Sequence, residues 1–218
     1  MKKYKLVYPA EEYCGRTVYR IEALEDFNSN ARTVKKGDIG GWVSSEDNLS
    51  QLGTCWIFDD GMVVEDAVLK DCATVQGNAQ ISGKSVVRDS AYITDEVIVD
   101  GEVEIYGEAS LYETCRVVGK SKVFQRAAIA GSAIVTGSPT IYGNSVIHET
   151  AFITGNPMIK DTEVVGDEFD IGTDEDEDNE NVLVEKKETK KTKKQSNNED
   201  IRIIDGKKFR KKIIWEEI

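Results

Sequence analysis

An aliphatic side chain recurs at every sixth position across more than half of this chain, and few folds can use such a period. Starting at Ile57, the series runs Val63, Leu69, Val75, Ile81, Val87, Ile93, Val99, Ile105, Leu111, Val117, Val123, Ile129, Val135, Ile141, Ile147, Ile153, Ile159, Val165 and Ile171, with no insertion. Two residues before these positions the side chain is mostly small, as at Ala67, Ala73, Ala79, Ser85, Ala91, Ala109, Cys115, Ser121, Ala127, Ala133, Ser145 and Ala151. Two residues after them comes a turn former: Asp71, Gly77, Gly83, Asp89, Asp95, Gly101, Gly107, Gly119, Gly131, Gly137, Gly143, Gly155, Asp161 and Asp167. Like residues separated by one position mark a strand facing inward at both, and Gly and Asp tolerate the backbone of a sharp corner.

A strand this short cannot bury its apolar face alone, so three of them wrap into a triangular coil of about eighteen residues and the coils stack. Residues 57–172 then give about six coils and a rod roughly 30 Å long. A conventional parallel sheet would need helical crossovers of about a dozen residues, which the spacing excludes.

This pattern resembles the left-handed β-helix hexapeptide-repeat superfamily, known best from trimeric acyltransferases. The resemblance implies the hand of the helix, on which periodicity is silent. In the common family pattern a Gly or acidic residue directly follows the aliphatic position. Here it comes one residue later, as in Val75-Gln76-Gly77-Asn78-Ala79, a variant that looks like that of solenoids described only as hexapeptide-repeat or transferase-like proteins.

Residues 1–56 break the period. Extended segments at Tyr4 to Tyr8 and Thr17 to Leu24 precede the turn Gly37-Asp38-Ile39-Gly40-Gly41-Trp42-Val43. An open coil end exposes apolar core and a sheet edge, so this segment is expected to form a β cap, with Trp42, Leu49, Leu52 and Trp56 placed to cover the end. The glycine-rich turn lacks the Gly-Lys-Ser or Gly-Lys-Thr ending of a phosphate loop and reads as structural. Together with Arg20-Ile21-Glu22-Ala23-Leu24 and Asn48-Leu49-Ser50, this leader resembles that of phage- and prophage-encoded hexapeptide-repeat proteins.

Residues 173–200, acidic and then lysine-rich from Lys186 to Lys194, read as a disordered charged linker that could touch an acidic partner or RNA. Residues 201–218 read as a β-hairpin turning at Asp205-Gly206, which would dock on the solenoid or on a partner. The whole is an all-β chain: a cap, a single-stranded parallel β-helix, a tail and a hairpin.

Composition narrows the function. A formal net charge of −12 opposes contact with a polyanion, which makes DNA an unexpected partner. The sequence carries no signal-peptide pattern and no long apolar run, so the expectation is a cytoplasmic protein without a membrane partner, in the host cytoplasm if phage-encoded. Cys14, Cys55, Cys72 and Cys115 form no Cys-x-x-Cys pair, and with one histidine they do not compose a zinc site; no metal and no cofactor are expected.

Residues eighteen apart stack on one face, and the positions just after the aliphatic series point outward. One such column reads Lys70, Arg88, Tyr106, Phe124, Tyr142 and Lys160: an aromatic stripe with cations at both ends. It suits a ladder that supports the sheet, an interface in a threefold oligomer, or a groove where the rings stack on a nucleotide-like ligand whose phosphates meet Arg88 and Lys160. On the next face Ile98, Val118, Ile134 and Phe152 form a second apolar strip suited to an oligomer interface.

The expected function is therefore non-catalytic: a phage-type oligomer, a trimer by resemblance, that scaffolds, sequesters a nucleotide-like ligand or blocks a host defence protein. The alternative implied by the resemblance is acyl transfer from acetyl-coenzyme A. His148, as the only histidine, would be its general base.

Overall fold

The computed structural model describes residues 2–166 in full and, beyond them, the backbone of strands Asp170–Ile171, Asn181–Lys186, Asp200–Ile204 and Lys207–Ile214. From Trp56 onward each six-residue unit contributes one short strand, and each strand before Val146–His148 pairs in parallel with the strand eighteen residues on, as Thr74↔Tyr92 and Val75↔Ile93. Three sheets result. The first face holds seven strands, from Trp56–Ile57 to Glu163–Val165, one for each turn of a parallel β-solenoid. The aliphatic series accounts for this count, since stepping by eighteen from Ile57 meets Val75, Ile93, Leu111, Ile129, Ile147 and Val165 before it ends.

The aliphatic positions fill the interior: Ile57, Leu69, Ile81, Ile93, Ile105, Ile129, Ile141 and Ile153 are all buried. The small residues two positions earlier, such as Ala67, Ala91, Cys115 and Ala133, are buried too. Val97 and Val103 occupy this position in two units, so the inner wall tolerates more volume than the Ala and Ser pattern suggests. Each turn hangs on the next by backbone bonds such as Phe58 N–H to Val75 C=O (2.8 Å) and Tyr106 N–H to Val123 C=O (3.0 Å).

The corners hold left-handed backbone, and not only at Gly and Asp. Glu65, Glu113, Gln125 and Glu149 also have positive φ there. Such φ costs an ordinary side chain about 1 kcal/mol or more, so a compensating contact is expected. It is present: the side-chain oxygen accepts from the backbone N–H one turn further on, as in Glu65 from Gly83 (2.7 Å), Asp95 from Glu113 (2.8 Å) and Gln125 from Gly143 (2.8 Å).

Among the strands up to Ile171 the period slips once. Ile147 pairs with Val164, not Val165, and Val164 is buried while Val165 is half-buried. Thr162 takes the small inner position two residues before. The unit after Ile159 is therefore one residue short, and Ile153↔Ile171 restores the eighteen-residue step. Both Val164 and Val165 are aliphatic, so the sequence pattern alone runs smoothly through the slip.

Ahead of the solenoid, β1 (Tyr4–Leu6), β2 (Glu11–Tyr13), β3 (Arg16–Ala23) and β6 (Ile39–Val43) form an antiparallel sheet, with β4 (Phe27–Asn28) and β5 (Thr33–Val34) as a small separate pair. β6 joins the second solenoid face in parallel through Trp42↔Met62 and Val43↔Val63. Tyr4, Ile21, Ala23, Val34, Val43 and Leu49 share one buried cluster with the first solenoid turns. Tyr4 and Phe27 pack edge-on against Trp56 at 6.4 and 5.5 Å. Trp56 and Leu49 are buried as expected, but Leu52 is 80% exposed. The chain turns at Ser50, whose hydroxyl accepts from Leu52 N–H, and the seat on Trp56 goes to Tyr4 and Phe27, which no spacing rule connects to it. At Gly40 an added Cβ would lie 2.6 Å from the Ile57 carbonyl, so close backbone approach accounts for this glycine without a phosphate.

Beyond the seventh turn, Asn181–Lys186 extends the third face beside Met158–Lys160, followed by Lys207–Ile214, which pairs antiparallel with Asp200–Ile204. The rest of the proposed linker and hairpin lies outside the described residues. Among the described residues no helix is long and apolar enough to cross a membrane.

Candidate functional site

The column predicted on the third face is assembled. Tyr106 and Phe124 stack with ring centroids 4.8 Å apart and planes 1° from parallel; Phe124 and Tyr142 follow at 5.2 Å and 10°. The Arg88 guanidinium lies 4.0 Å over the Tyr106 ring, and the Lys160 ammonium lies 5.9 Å from the Tyr142 centroid. The strand spacing imposes this order: residues directly adjacent in a parallel ladder are about 4.8 Å apart, which is a comfortable ring-stacking distance.

Both terminal cations are tied to the corner that follows them. Arg88 reaches the Asp89 carboxylate at 3.0 Å, and Lys160 lies 4.0 Å from that of Asp161. Those carboxylates in turn accept backbone N–H groups, Asp89 from Gly107 and Asp161 from Asn144. The ring faces are directed along the solenoid axis and occupied by one another or by a cation, which leaves the ring edges toward solvent. A nucleobase cannot lie flat between rings 4.8 to 5.2 Å apart, because a third ring needs about 3.4 Å on each side. Alongside, Gly107, Glu108, Gln125, Arg126, Gly143, Asn144, Lys160 and Asp161 line an open groove of about 490 Å³.

On the second face Ile98, Ile134 and Phe152 do fall into one column, but Arg116 stands between Ile98 and Ile134. Val118 pairs with Asp100 and belongs to the neighbouring column, since it follows an inward position whereas the others precede one. Ile134 is 40% exposed, the most open of the four.

His148 lies at the sixth turn of the first face, with Nε2 3.1 Å from a Glu163 oxygen. It lines neither groove. Among the described residues no group of three or more His, Cys, Asp or Glu is placed to hold a metal ion. Cys55 and Cys115 are buried, and burial raises both thiol pKa values, that of Cys115 to about 12.

The sequence reading missed a second groove, of about 390 Å³, between the β2–β3 hairpin and the second face. Glu11, Glu12 and Asp60 stand among its walls, and Val18, Trp42 and Met62 form an apolar lining. Tyr13 accepts from Gln80 (3.1 Å), and Arg16 pairs with Glu65, which holds the hairpin against the solenoid. No period links residues 11–13 to 78–80; only the tertiary fold brings them together.

Fold and surface define a parallel β-solenoid with an aromatic ladder. Compared with protein-family models and with curated proteins, the chain matches none.

Proposed function

We propose that this is a hexapeptide-repeat β-helix protein of phage type that works in the host cytoplasm by binding and scaffolding as a homo-oligomer, a trimer in its simplest form, and not by catalysis. The carrying observation is the ladder Arg88–Tyr106–Phe124–Tyr142–Lys160. Its side chains are already ordered by one another, so a partner that covers the ring edges gains apolar contact at little cost in side-chain entropy. Because the ring faces are occupied, the strip suits a protein surface, either a second subunit or a host protein, better than a planar nucleotide held by one chain. A nucleotide would have to meet the ring edges and Arg126 or Lys160 from the adjoining groove.

Native mass spectrometry of the intact protein tests this reading. The wild type should run as an oligomer, and Tyr106→Ala/Phe124→Ala/Tyr142→Ala as a monomer with unchanged far-UV circular dichroism. Phe124→Leu, a gentler change, should give an intermediate population. A wild-type monomer with no companion protein would refute the proposal, and a co-purified adduct of nucleotide mass would move it to ligand sequestration.

One observation favours a second reading, acyl transfer from acetyl-coenzyme A: Glu163 is placed to orient His148 as a general base. It requires coenzyme binding by the wild type and loss of turnover in His148→Ala.

A further inference from the structure

We infer that the groove between the β2–β3 hairpin and the second solenoid face receives the lysine-rich segment, residues 186–194, of a second copy of this chain. The argument begins with the groove's charge. Glu11 makes no ion pair among the described residues, and Glu12 accepts only the Thr17 hydroxyl (2.9 Å). Asp60 is held by Arg20, whose guanidinium also covers one face of Trp42 at 4.0 Å. No lysine or arginine lines the groove itself. Two carboxylates without cationic partners thus stand beside an apolar lining, which suits a lysine side chain: the methylenes lie along Trp42 and Met62, and the ammonium reaches the carboxylates.

The same chain carries the complementary charge, with six lysines and one glutamate between Lys186 and Lys194. Distance decides which copy supplies it. The groove lies on the first and second turns, at Met62 and Gln80, whereas Asn181–Lys186 sits one row past Met158–Lys160 at the other end of the stack. Five rows separate them, about 24 Å along the axis before the step around to the second face. The thirteen residues between Lys186 and Asp200 span at most about 47 Å, and Asp200 lies two rows, about 10 Å, further from the groove than Lys186. A loop between these anchors extends back no more than about 18 Å, or about 24 Å with a lysine side chain, short of the axial distance plus the step around. A chain therefore falls short of its own groove, and a neighbour placed head to tail does not. The contact is heterologous, distinct from the flat-face oligomer proposed above, and can join such oligomers end to end.

The net charge of −12 makes whole copies repel one another, so a peptide isolates the local contact. A fluorescent peptide of residues 186–195 is titrated into the full-length Lys187→Gln/Lys190→Gln/Lys191→Gln/Lys193→Gln/Lys194→Gln protein, which keeps only Lys186 of its own segment and so competes weakly for the grooves. Saturable binding is expected, about five- to tenfold weaker after Glu11→Gln/Glu12→Gln, as for the loss of one or two partly exposed charge pairs. Glu96→Gln/Glu102→Gln, with the same change in net charge, should leave it unaltered. Absence of saturable binding, or equal weakening by the two double variants, would overturn the inference. The subunit count of the wild type is read separately, so failure here and failure of the oligomer proposal are distinguishable.

Discussion

The side chain of Glu113, at a corner with φ of 63°, accepts a hydrogen bond of 2.7 Å from the backbone N–H of Gly131, the corner one turn on. Glu113→Ala keeps the unfavourable backbone and loses the bond. It should destabilise the protein by about 0.5–1 kcal/mol in urea melts. Glu113→Gly relieves the backbone and should recover part of that loss.

Gly131 faces a different constraint. A Cβ there would lie 2.5 Å from the backbone N and O of Glu149, whereas at Gly15 nothing lies within 4 Å, although φ is positive at both. Gly15→Ala should cost about 1 kcal/mol through φ alone, and Gly131→Ala about 2–4 kcal/mol, because the stacked turns must part. Equal denaturation midpoints for the two variants would contradict the stacking geometry.

The register slip makes neighbouring valines unequal. Val164→Asp puts a charge in the core and should cost about 3 kcal/mol or more, while Val165→Asp should cost less than about 1 kcal/mol. An unslipped eighteen-residue period predicts the reverse order, so thermal melts of the two variants decide between them.

Thr74 is fully buried, and its hydroxyl oxygen has no hydrogen-bond partner. Thr74→Val preserves the shape and removes the unmet polar group. It should raise stability by about 1 kcal/mol, seen as a higher midpoint with an unchanged denaturant slope.

The Cys115 thiol titrates at about 12 in the folded chain, against an ordinary value of 9.0, chiefly because burial disfavours the thiolate. The unfolded chain loses this proton first, so the contribution is intact below pH 9 and is lost as pH rises toward about 12. Cys115→Ala, a residue common at this inner position, should flatten the fall in stability over that range. In the native protein at pH 8 the exposed Cys14 should alkylate well before Cys115.

The strict six-residue period made the solenoid legible, because inward positions in a short strand must be apolar and nothing else in the repeat competes with that demand. The outward column from Arg88 to Lys160 followed by arithmetic, since parallel pairing places residues eighteen apart beside one another. The same arithmetic failed where two aliphatic residues adjoin. Val164 and Val165 satisfy the pattern equally, and the choice between them belongs to the packing of the last turn.

By itself, then, the sequence determined the class of fold, the buried series and the residues of the aromatic ladder, because each follows from contacts at a fixed interval. Only the tertiary structure decided that the ring faces are occupied, and that Leu52 is exposed while Tyr4 and Phe27 cover Trp56. It alone placed Glu11 and Glu12 beside Trp42, Met62 and Gln80. Those relations join segments with no common period, and they are set by three-dimensional packing that a one-dimensional repeat does not encode.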